Sequence, residues 1–416
     1  MKYKDTPFGK IPNNWEISSI SEVTELVTDY VANGSFASLA KNVTYRDEED
    51  VAVLIRLVDY NNDFKGNFVF IDEHAYEFLG KSKLYGGEII ISNVGANVGT
   101  VFRCPHLTYK MSLAPNAIMV KFKENDDFYY FWLRSRAGQH MLHSIVTGSA
   151  QPKFNKTNFR DMLVPVPPRD QQDKIVSILQ PLEDKIEQNK KINENLQVQT
   201  QALYKAWFVD FEPFGGVMPS SWKLSKFGDI VSIKTNSFSP AKNPDAMLEH
   251  YSIPAYDEQK YPVFESAADV KSNKYILTSN SVMISKLNPD TKRVWRPMCV
   301  TDLAVSSTEF IIFEANIPAF KDFVFSIIDS AAFSDWMCSH TTGSTNSRQR
   351  TSPKATLEFQ VMLPDNQTIS DFCAIVTPMY DIIANNICEN QKLAKIRDTL
   401  LPKLMSGEID ASDIRF

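Results

Sequence analysis

The fold class is decided by residues 175–203, IVSILQPLEDKIEQNKKINENLQVQTQAL. An apolar side chain or an asparagine recurs there every seven residues, and the same series recurs 197 residues later without a gap. A seven-residue apolar repeat is typical of helices that pair along a seam as a coiled coil. We therefore predict two long paired helices, with seams formed by Ile175, Leu182, Asn189, Leu196 and Leu203 and by Phe372, Met379, Asn386, Leu393 and Leu400.

Each seam carries one asparagine near its middle, Asn189 in the first and Asn386 in the second. A polar residue in a coiled-coil seam costs stability, but it fixes the register of the pair. If the two helices pack antiparallel, the seam positions align end to centre to end, and Asn189 falls opposite Asn386. We predict that these two amides pair and set the register. The alternative is that each lies on an imperfect repeat and faces solvent.

The segments that precede the two helices also repeat, in the same order. The Pro-x-x-Trp sequence at residues 12–15 recurs at 219–222, and Thr-Gly-Ser at 147–149 recurs at 342–344. Apolar runs bounded by turn residues predict strands in both copies. These predicted strands are residues 51–58, 88–92 and 117–122 in the first copy and residues 281–285 and 309–313 in the second.

Together these patterns predict an α+β fold in which a globular part, a helix, a second globular part and a second helix alternate. The predicted boundaries are residues 1–160, 161–210, 211–360 and 361–416. Two pseudo-symmetric globular parts of mixed α/β structure would be separated by two long helices packed as an antiparallel coiled coil. A helix of about 35 residues spans about 50 Å, on the order of one and a half turns of B-DNA.

Five motifs follow one another along the chain and extend the pattern beyond the helices. They are Gly9-Lys10-Ile11-Pro12-x-x-Trp15, Gly87-Glu88-Ile89-Ile90-Ile91-Ser92, Thr147-Gly148-Ser149-Ala150-Gln151-Pro152-Lys153, Val164-Pro165-Val166-Pro167-Pro168 followed by Gln171-Gln172-x-x-Ile175, and Leu400-Leu401-Pro402-Lys403-Leu404-Met405-Ser406-Gly407-Glu408-Ile409. Their order, the duplication and the tail resemble the specificity subunits of type I restriction-modification systems over nearly the whole chain. The second copy departs from the motifs at Asn366-Gln367, which matches Gln171-Gln172 only loosely.

The resemblance implies a sequence-specific DNA-binding subunit that catalyses nothing itself. In that family each globular part is a target-recognition domain for one half of a bipartite DNA sequence. The paired helices separate the two domains and dock methyltransferase subunits, two of which are expected. The implied partners are double-stranded DNA, the methyltransferase subunits and restriction subunits. S-adenosylmethionine, ATP and Mg²⁺ would belong to those partners, and this chain would hold no cofactor.

Composition limits the kind of DNA binding that is possible. The net charge of −6 and the isoelectric point near 5.7 argue against a binder that relies on overall positive charge. A DNA site must therefore be local, or partner subunits must supply much of the positive potential. The sequence shows neither an export signal nor a long apolar stretch, so we expect a cytoplasmic chain. The cysteines form no Cys-x-x-Cys pair, which favours free thiols and no metal site.

Four segments are rich in side chains that bind DNA and poor in acids. Lys, Arg and small polar donors bind phosphates, and Arg, Lys, Asn, Gln and Ser/Thr read base edges in the major groove. Residues 147–160 and 338–354 contain no carboxylate and occupy equivalent places in the repeat, as do residues 93–103 and 286–296. The alternatives are a solvated loop and a hairpin turn. The candidate DNA-binding residues are Asn93, Asn97, Arg103, Ser149, Gln151, Lys153, Asn155, Lys156, Lys286, Lys292, Arg293, Ser344, Asn346, Arg348, Arg350 and Lys354.

Other functions are weighed against the same sequence. The aromatic run at residues 128–132 points all round a helix, so we predict that it packs in the core rather than stacks on bases. The sequence contains no phosphate-binding loop and no Asn/Asp-Pro-Pro-aromatic tetrad of an adenine methyltransferase. Two rival functions stay open. One is a coiled-coil interaction scaffold that binds no DNA, which the acidic composition favours, and the other is a nuclease with unrecognised motifs.

Overall fold

The computed structural model describes residues 2–342, 349–411 and 414. The chain forms two compact units: the first comprises Met1–Asp184 and Leu393–Phe416, and the second comprises Lys185–Lys392. Each unit contains one copy of the repeat together with a segment of both long helices. The predicted boundaries treated each long helix as a separate part of the chain. In the structure each helix is instead divided between the two units, because each segment of it packs on the globular part of its own unit.

Two sheets form the globular part of the first unit. In one sheet all neighbouring strands are antiparallel, and their order is Thr24–Asp29, Ala117–Phe122, Ile89–Ser92 and Val101–Arg103. In the other sheet only the central pair is parallel, and the order is Val69–Ile71, Ala52–Ile55, Lys110–Leu113 and Lys83–Leu84. Strands with no exposed side chain, such as Ile89–Ser92, read as continuous apolar runs because both of their faces are covered.

The second unit repeats this topology. Its antiparallel sheet has the order Val231–Lys234, Phe310–Ala315, Ser281–Ser285 and Val294–Trp295. Its mixed sheet has the order Ser237–Phe238, Lys274–Ile276, Ala304–Ser307, Met247–Tyr251 and Val263–Ser266, again with one parallel pair. The equivalent strand orders explain why the sequence matches keep their order while their offsets change, since the two copies differ in loop length and share their pairing.

Short two-stranded pairs complete each unit. They are Tyr3–Thr6 with Gly9–Pro12, Glu16–Ser19 with Leu163–Val166, Lys223–Lys226 with Gln360–Leu363, and Thr341–Thr342 with Arg350–Thr351. The shorter α-helices are Ile20–Val23, Phe36–Asn42, Leu57–Asn61, Glu73–Phe78, Asp126–Arg134, Arg136–Ser144, Lys156–Asp161, Ile253–Gln259, Lys321–Ile328, Ala331–Ser339 and Pro353–Thr356. Single turns of 3₁₀-helix lie at Tyr30–Asn33, Glu212–Phe214, Phe227–Asp229, Pro240–Lys242, Ala267–Asp269 and Pro318–Phe320.

The first long helix, Arg169–Phe208, and the second long helix, Asn366–Met405, contain 40 residues each. In the first unit, the early residues of the first helix share a core with the late residues of the second, as Leu179 does with Leu404. In the second unit the late Phe208 packs on the early Phe372, with ring centroids 4.9 Å apart. The helices therefore run antiparallel in both units, which confirms the predicted pairing.

Four asparagines, two from each long helix, form hydrogen bonds between these helices in the second unit. Asn189 Nδ2 donates to Asn390 Oδ1 at 2.9 Å and to Glu389 Oε2 at 2.7 Å. Asn386 Nδ2 donates to Asn193 Oδ1 at 2.8 Å. The predicted direct pair of Asn189 with Asn386 is therefore wrong by one helical turn. The repeat shows that the two helices are equivalent in sequence. Which residues of one helix lie opposite which residues of the other is decided by packing.

Replacing Asn189 by alanine is expected to lower the free energy of unfolding by about 1–2 kcal/mol. The side chain is fully buried, and its loss removes the donor that Asn390 Oδ1 has across the seam. Urea denaturation of the full chain measures the change. Asn195→Ala is the matched control, because within the described residues the exposed Asn195 bonds only Gln199 on its own helix, at 2.8 Å. An equal loss in both variants would contradict a seam role for Asn189.

Candidate nucleic-acid interface

The four segments predicted to bind DNA lie at matching places in the two units. We call residues 93–103 loop A1 and residues 147–160 loop B1, both in the first unit. Their counterparts in the second unit are loop A2, residues 286–296, and loop B2, residues 338–354. The structure describes loop B2 except for residues 343–348, so the predicted site residues Ser344, Asn346 and Arg348 lie outside the described part.

Loops A1 and B1 are joined by backbone hydrogen bonds in the first unit. Gly95 N donates to Pro152 O at 2.9 Å, and Phe154 N donates to Asn93 O at 3.1 Å. Asn93 adds a side-chain bond, from its Nδ2 to Phe154 O at 3.0 Å. Two segments that are about 50 residues apart in sequence therefore form one continuous surface.

Loops A2 and B2 are joined in the same way in the second unit. Asn288 N donates to Gln349 O at 2.9 Å, and Thr351 N donates to Lys286 O at 3.1 Å. By their hydrogen bonds the four residues are the counterparts of Gly95, Pro152, Phe154 and Asn93. Loop A2 keeps the sequence offset of 193, whereas in loop B2 the offset is 195 at Thr342 and 197 at Gln349 and Thr351. The same loop pair is thus built twice from different side chains, because backbone groups make the connection.

Loop B is closed by the same bond in both units. Thr147 Oγ1 donates to Lys153 O at 3.2 Å in loop B1, and Thr342 Oγ1 donates to Arg350 O at 3.2 Å in loop B2. Threonine at the first position of the Thr-Gly-Ser motif is therefore explained by loop closure. Lys153 and Arg350 consequently occupy equivalent places in the two units.

Loop A turns through a left-handed residue in both units. Gly95 has φ +102° and its counterpart Asn288 has φ +48°. Glycine and asparagine are the residues that adopt positive φ most readily. Apart from its two chain neighbours, no atom of the described residues lies within 4 Å of the place where a Cβ of Gly95 would be, so this glycine serves backbone conformation rather than tight packing.

Several predicted side chains of the first unit are exposed on the joined loops. Polar groups in this position can donate to phosphates or to base edges. Asn93 faces Phe154 instead, and Asn155 caps the helix Lys156–Asp161 by accepting from Asn158 N at 2.8 Å. The exposed residues are Asn97, Ser149, Gln151 and Lys153.

Two predicted cations of the first unit are paired with acids from other elements. Lys156 Nζ lies 2.8 Å from Asp29 Oδ1. Arg103 bonds Asp127, and its guanidinium lies 4.4 Å from the ring centroid of Tyr130. Both cations are thus positioned by the fold, and their contact with DNA stays a prediction.

The second unit neutralises more of its predicted cations. Lys292 Nζ lies 2.7 Å from Asp329 Oδ1, Arg293 Nε lies 2.6 Å from Asp257 Oδ1, and Arg350 Nε lies 2.9 Å from Glu309 Oε2. Lys354 is exposed and Lys286 is half-buried, and neither forms an ion pair with any acid in the described part of the chain. The cations of these acid-poor segments therefore form ion pairs with acidic residues from other segments, which the fold places beside them.

Comparison with known proteins shows what the chain is similar to. Residues 12–198 match the family described as Type I restriction modification DNA specificity domain. The Type I restriction enzyme MjaIX specificity subunit of Methanocaldococcus jannaschii is 24% identical over 456 aligned residues, which cover 99% of this chain and 98% of that protein. Over nearly its whole length the chain is therefore similar to the specificity subunits of type I restriction enzymes.

Two further comparisons agree with this similarity. The Type I restriction enzyme HindI specificity subunit of Haemophilus influenzae is 22% identical, and the alignment covers 62% of this chain and 71% of that protein. The crystal structure of a type I restriction-modification S subunit from M. genitalium covers 96% of this chain and 98% of that chain, with 15% identity and a TM-score of 0.58. At that identity the likeness shows a shared fold, which accords with the predicted α+β architecture.

Sequence patterns gave little sign of the acids that pair with the loop cations. Asp29, Asp257, Glu309 and Asp329 come from strands, helices and turns outside the segments that they neutralise. A window along the chain counts only neighbours in sequence, whereas an ion pair depends on neighbours in space. Only Glu309 had a local signal, since it begins a predicted strand.

The aromatic run at residues 128–132 packs in the core of the first unit, as predicted. Phe128, Tyr129, Phe131 and Trp132 are buried, and Trp132 contacts Phe8 edge to face with ring centroids 5.8 Å apart. These rings lie in the helix Asp126–Arg134 and its contacts with the antiparallel sheet. They are therefore not available to stack on bases.

Metal-binding and membrane-spanning features are absent from the described ranges 2–342 and 349–411. No group of three or more histidine, cysteine or acidic residues there is placed to hold a metal ion. The cysteines are free thiols, and burial raises the pKa of Cys373 to about 11, so that this thiol stays protonated. No described helix combines the length and the apolar character that crossing a bilayer requires.

Proposed function

We propose that this chain reads a bipartite DNA sequence, with one half-site bound by loops A1 and B1 and the other by loops A2 and B2. The observation that carries the proposal is the same hydrogen-bonded loop pair in both units. A protein that reads two half-sites needs two readers of like construction. A scaffold that binds two unrelated proteins has no such requirement, so the repeated loop pair favours DNA.

The charges of the loop side chains suit two kinds of DNA contact, one to phosphates and one to bases. Lys153 and Lys354 are exposed cations that can contact phosphates, whereas Asn97, Ser149 and Gln151 are neutral and can read base edges. A few phosphate contacts alone give weak binding, because each contributes through the release of one counterion. With a net charge of −6, the chain relies on partner subunits for much of the positive potential around the DNA.

The proposal extends to the partners and their cofactors. Methyltransferase subunits, two per complex, would dock through the long helices, and restriction subunits would join the same complex. S-adenosylmethionine, ATP and Mg²⁺ would be bound by those subunits, while this chain selects the sequence and catalyses no step. The names of its relatives support this role, because each is called a specificity subunit of a restriction enzyme.

Selection from random double-stranded DNA by the full chain, co-purified with its methyltransferase subunits, tests the function. We expect a sequence in two parts separated by unspecified base pairs, and binding that weakens steeply with salt. Absence of any selected sequence, with salt-independent binding of protein partners, would support the scaffold instead. Cleavage of DNA by the isolated chain in the presence of Mg²⁺ would support a nuclease, and we expect none.

Replacing Lys153 by glutamate is expected to weaken DNA binding by about tenfold and to reduce the salt slope by about one. The change removes one phosphate contact from the first unit and adds repulsion there. Titrations use DNA in which each half-site is scrambled in turn. Scrambling the half-site of the first unit should then cost the variant less than the wild type, whereas scrambling the other half-site should cost both equally.

The control for this prediction is Lys10→Glu, which makes the same charge change at an exposed position of the first unit. Lys10 lies in the hairpin strand Gly9–Pro12, outside loops A1 and B1. It should leave both the affinity and the salt slope nearly unchanged. If the two variants lose affinity equally, loop B1 does not contact the DNA.

A further inference from the structure

Arg350 of loop B2 and Glu309 form a bidentate ion pair. Arg350 Nε donates to Glu309 Oε2 at 2.9 Å, and Nη2 donates to Glu309 Oε1 at 3.1 Å. Two parallel bonds of this kind fix the plane of a guanidinium as well as its position. The arginine is therefore held in one orientation before any ligand binds.

Both partners of the pair are anchored to loop A2. Glu309 O accepts from Lys286 N at 2.9 Å. Arg350 forms a β-bridge with Leu287, the next residue of that loop. The backbone positions of the acid and of the arginine are thus set by adjacent residues of a third segment, which keeps the pair in a fixed place on the loop surface.

The pair leaves one edge of the guanidinium available. An arginine side chain has five N–H groups, and the two bonds to Glu309 use one on Nε and one on Nη2. Nη1 donates to no residue in the described part of the chain, and 43% of the side chain is exposed. The remaining Nη1–Nη2 edge presents two parallel donors, which match the O6 and N7 acceptors of guanine in the major groove.

The first unit lacks this device at the equivalent positions. Lys153 stands where the second unit has Arg350, and Asn116 stands where it has Glu309. Asn116 O accepts from Asn93 N at 3.1 Å, so the backbone bond is kept while the acid is missing. Lysine is a flexible point charge with no planar edge, and it does not provide a fixed pair of donors.

We infer that Arg350 reads a guanine in the half-site of the second unit and that Glu309 is the residue that positions it. This inference rests on the proposed function and adds to it a base identity and an asymmetry between the units. The first unit has no equivalent guanine contact at Lys153. Glu309 carries a negative charge close to DNA, which is unfavourable for phosphate binding but useful for orienting a cation.

The inference is tested with the full chain co-purified with its methyltransferase subunits and with the sequence that the wild type selects. Arg350→Ala should lose the preference for guanine at one position of one half-site, a loss of roughly 10- to 100-fold. Replacing that guanine by 7-deazaguanine removes N7 and should weaken the wild type by roughly tenfold but leave Arg350→Ala unaffected. Lys354→Ala is the matched control: it should weaken all sequences alike and change no base preference.

Glu309→Gln separates positioning from mere stabilisation. It removes the charge but keeps the size, so the guanidinium loses its fixed plane and one negative charge near the DNA disappears. Affinity for unrelated DNA should rise, while preference for guanine at the Arg350 position should fall severalfold. A purely structural salt bridge would instead lower both together, and thermal unfolding monitors whether the variant folds.

The outcomes distinguish this inference from the proposed function. If the wild type selects no sequence, the proposed function fails. If it selects a bipartite sequence but Arg350→Ala keeps every base preference, or 7-deazaguanine has no effect at any guanine of either half-site, only the reading by Arg350 fails. If Arg350→Ala loses the guanine but Glu309→Gln keeps it at full strength, the positioning role of Glu309 is overturned.

Discussion

Replacing Glu183 by alanine is expected to lower the free energy of unfolding by about 3 kcal/mol. Glu183 Oε1 accepts from Arg134 Nη1 and from Arg397 Nη1, each at 2.9 Å. One carboxylate of the first long helix thus pairs with two mostly buried arginines, one from the helix Asp126–Arg134 and one from the second long helix, where Arg397 also pairs with the exposed Asp398. Without it, two positive charges face each other with little water, and urea denaturation of the full chain measures the resulting loss.

The stabilisation by Glu183 should also depend on pH. Burial raises the pKa of its carboxyl, but Arg134 and Arg397 outweigh burial and hold the pKa below the ordinary value of 4.5. A lowered pKa in the folded state means that the stabilisation is present in full above the ordinary value and is lost as pH falls through the lowered one. The difference in stability between wild type and Glu183→Ala should therefore shrink in acid.

The control for Glu183 is Glu187→Ala on the same helix. Glu187 pairs with Lys191 across 3.8 Å, and both side chains are more than half exposed. Exposed pairs of this kind contribute well under 1 kcal/mol, so this variant should unfold almost like the wild type. If both glutamates cost the same, the two arginines do not depend on Glu183.

Gly138→Ala is expected to destabilise the first unit by about 3 kcal/mol, although alanine favours helices over glycine by about 1 kcal/mol. Gly138 lies in the helix Arg136–Ser144, where a Cβ would stand 2.1 Å from Trp132 O and 2.7 Å from Leu133 Cα. These are backbone atoms of the preceding helix, which cannot yield without moving the whole helix. Urea denaturation gives the size and the sign of the change.

Gly138→Ala should also weaken DNA binding by the first unit. The next residue, Gln139, donates through Nε2 to Gly99 O in loop A1 at 2.9 Å and to Leu133 O at 2.8 Å. Moving the helix would therefore shift the support of the loop. Gly80→Ala is the control, since among the described residues its Cβ would meet only Glu77 O, at 3.4 Å. A stable Gly138→Ala chain would show that the two helices separate freely.

The sequence predicted the duplication, the long helices and the core role of the aromatic run, because each depends on local periodicity. Strands such as Ala117–Phe122 and Ser281–Ser285 were predicted with their observed bounds for the same reason. The predicted asparagine register was wrong, since Asn189 meets Asn390 instead of Asn386. A heptad pattern gives the face that a helix buries, but it is nearly unchanged when one helix slides past the other by a turn.

The sequence by itself determined that this chain is a two-copy α+β protein with antiparallel paired helices and two equivalent sets of polar loops. Only the tertiary structure decided which loops are joined by hydrogen bonds. It alone also showed that Glu309 and Asp257 form ion pairs with loop cations of the second unit and that Glu183 pairs with two arginines. The physical reason is the separation in sequence between the groups that interact. Periodicity and turn chemistry act between near neighbours in sequence, whereas charge pairing and close packing act between groups that only the fold brings within a few ångströms.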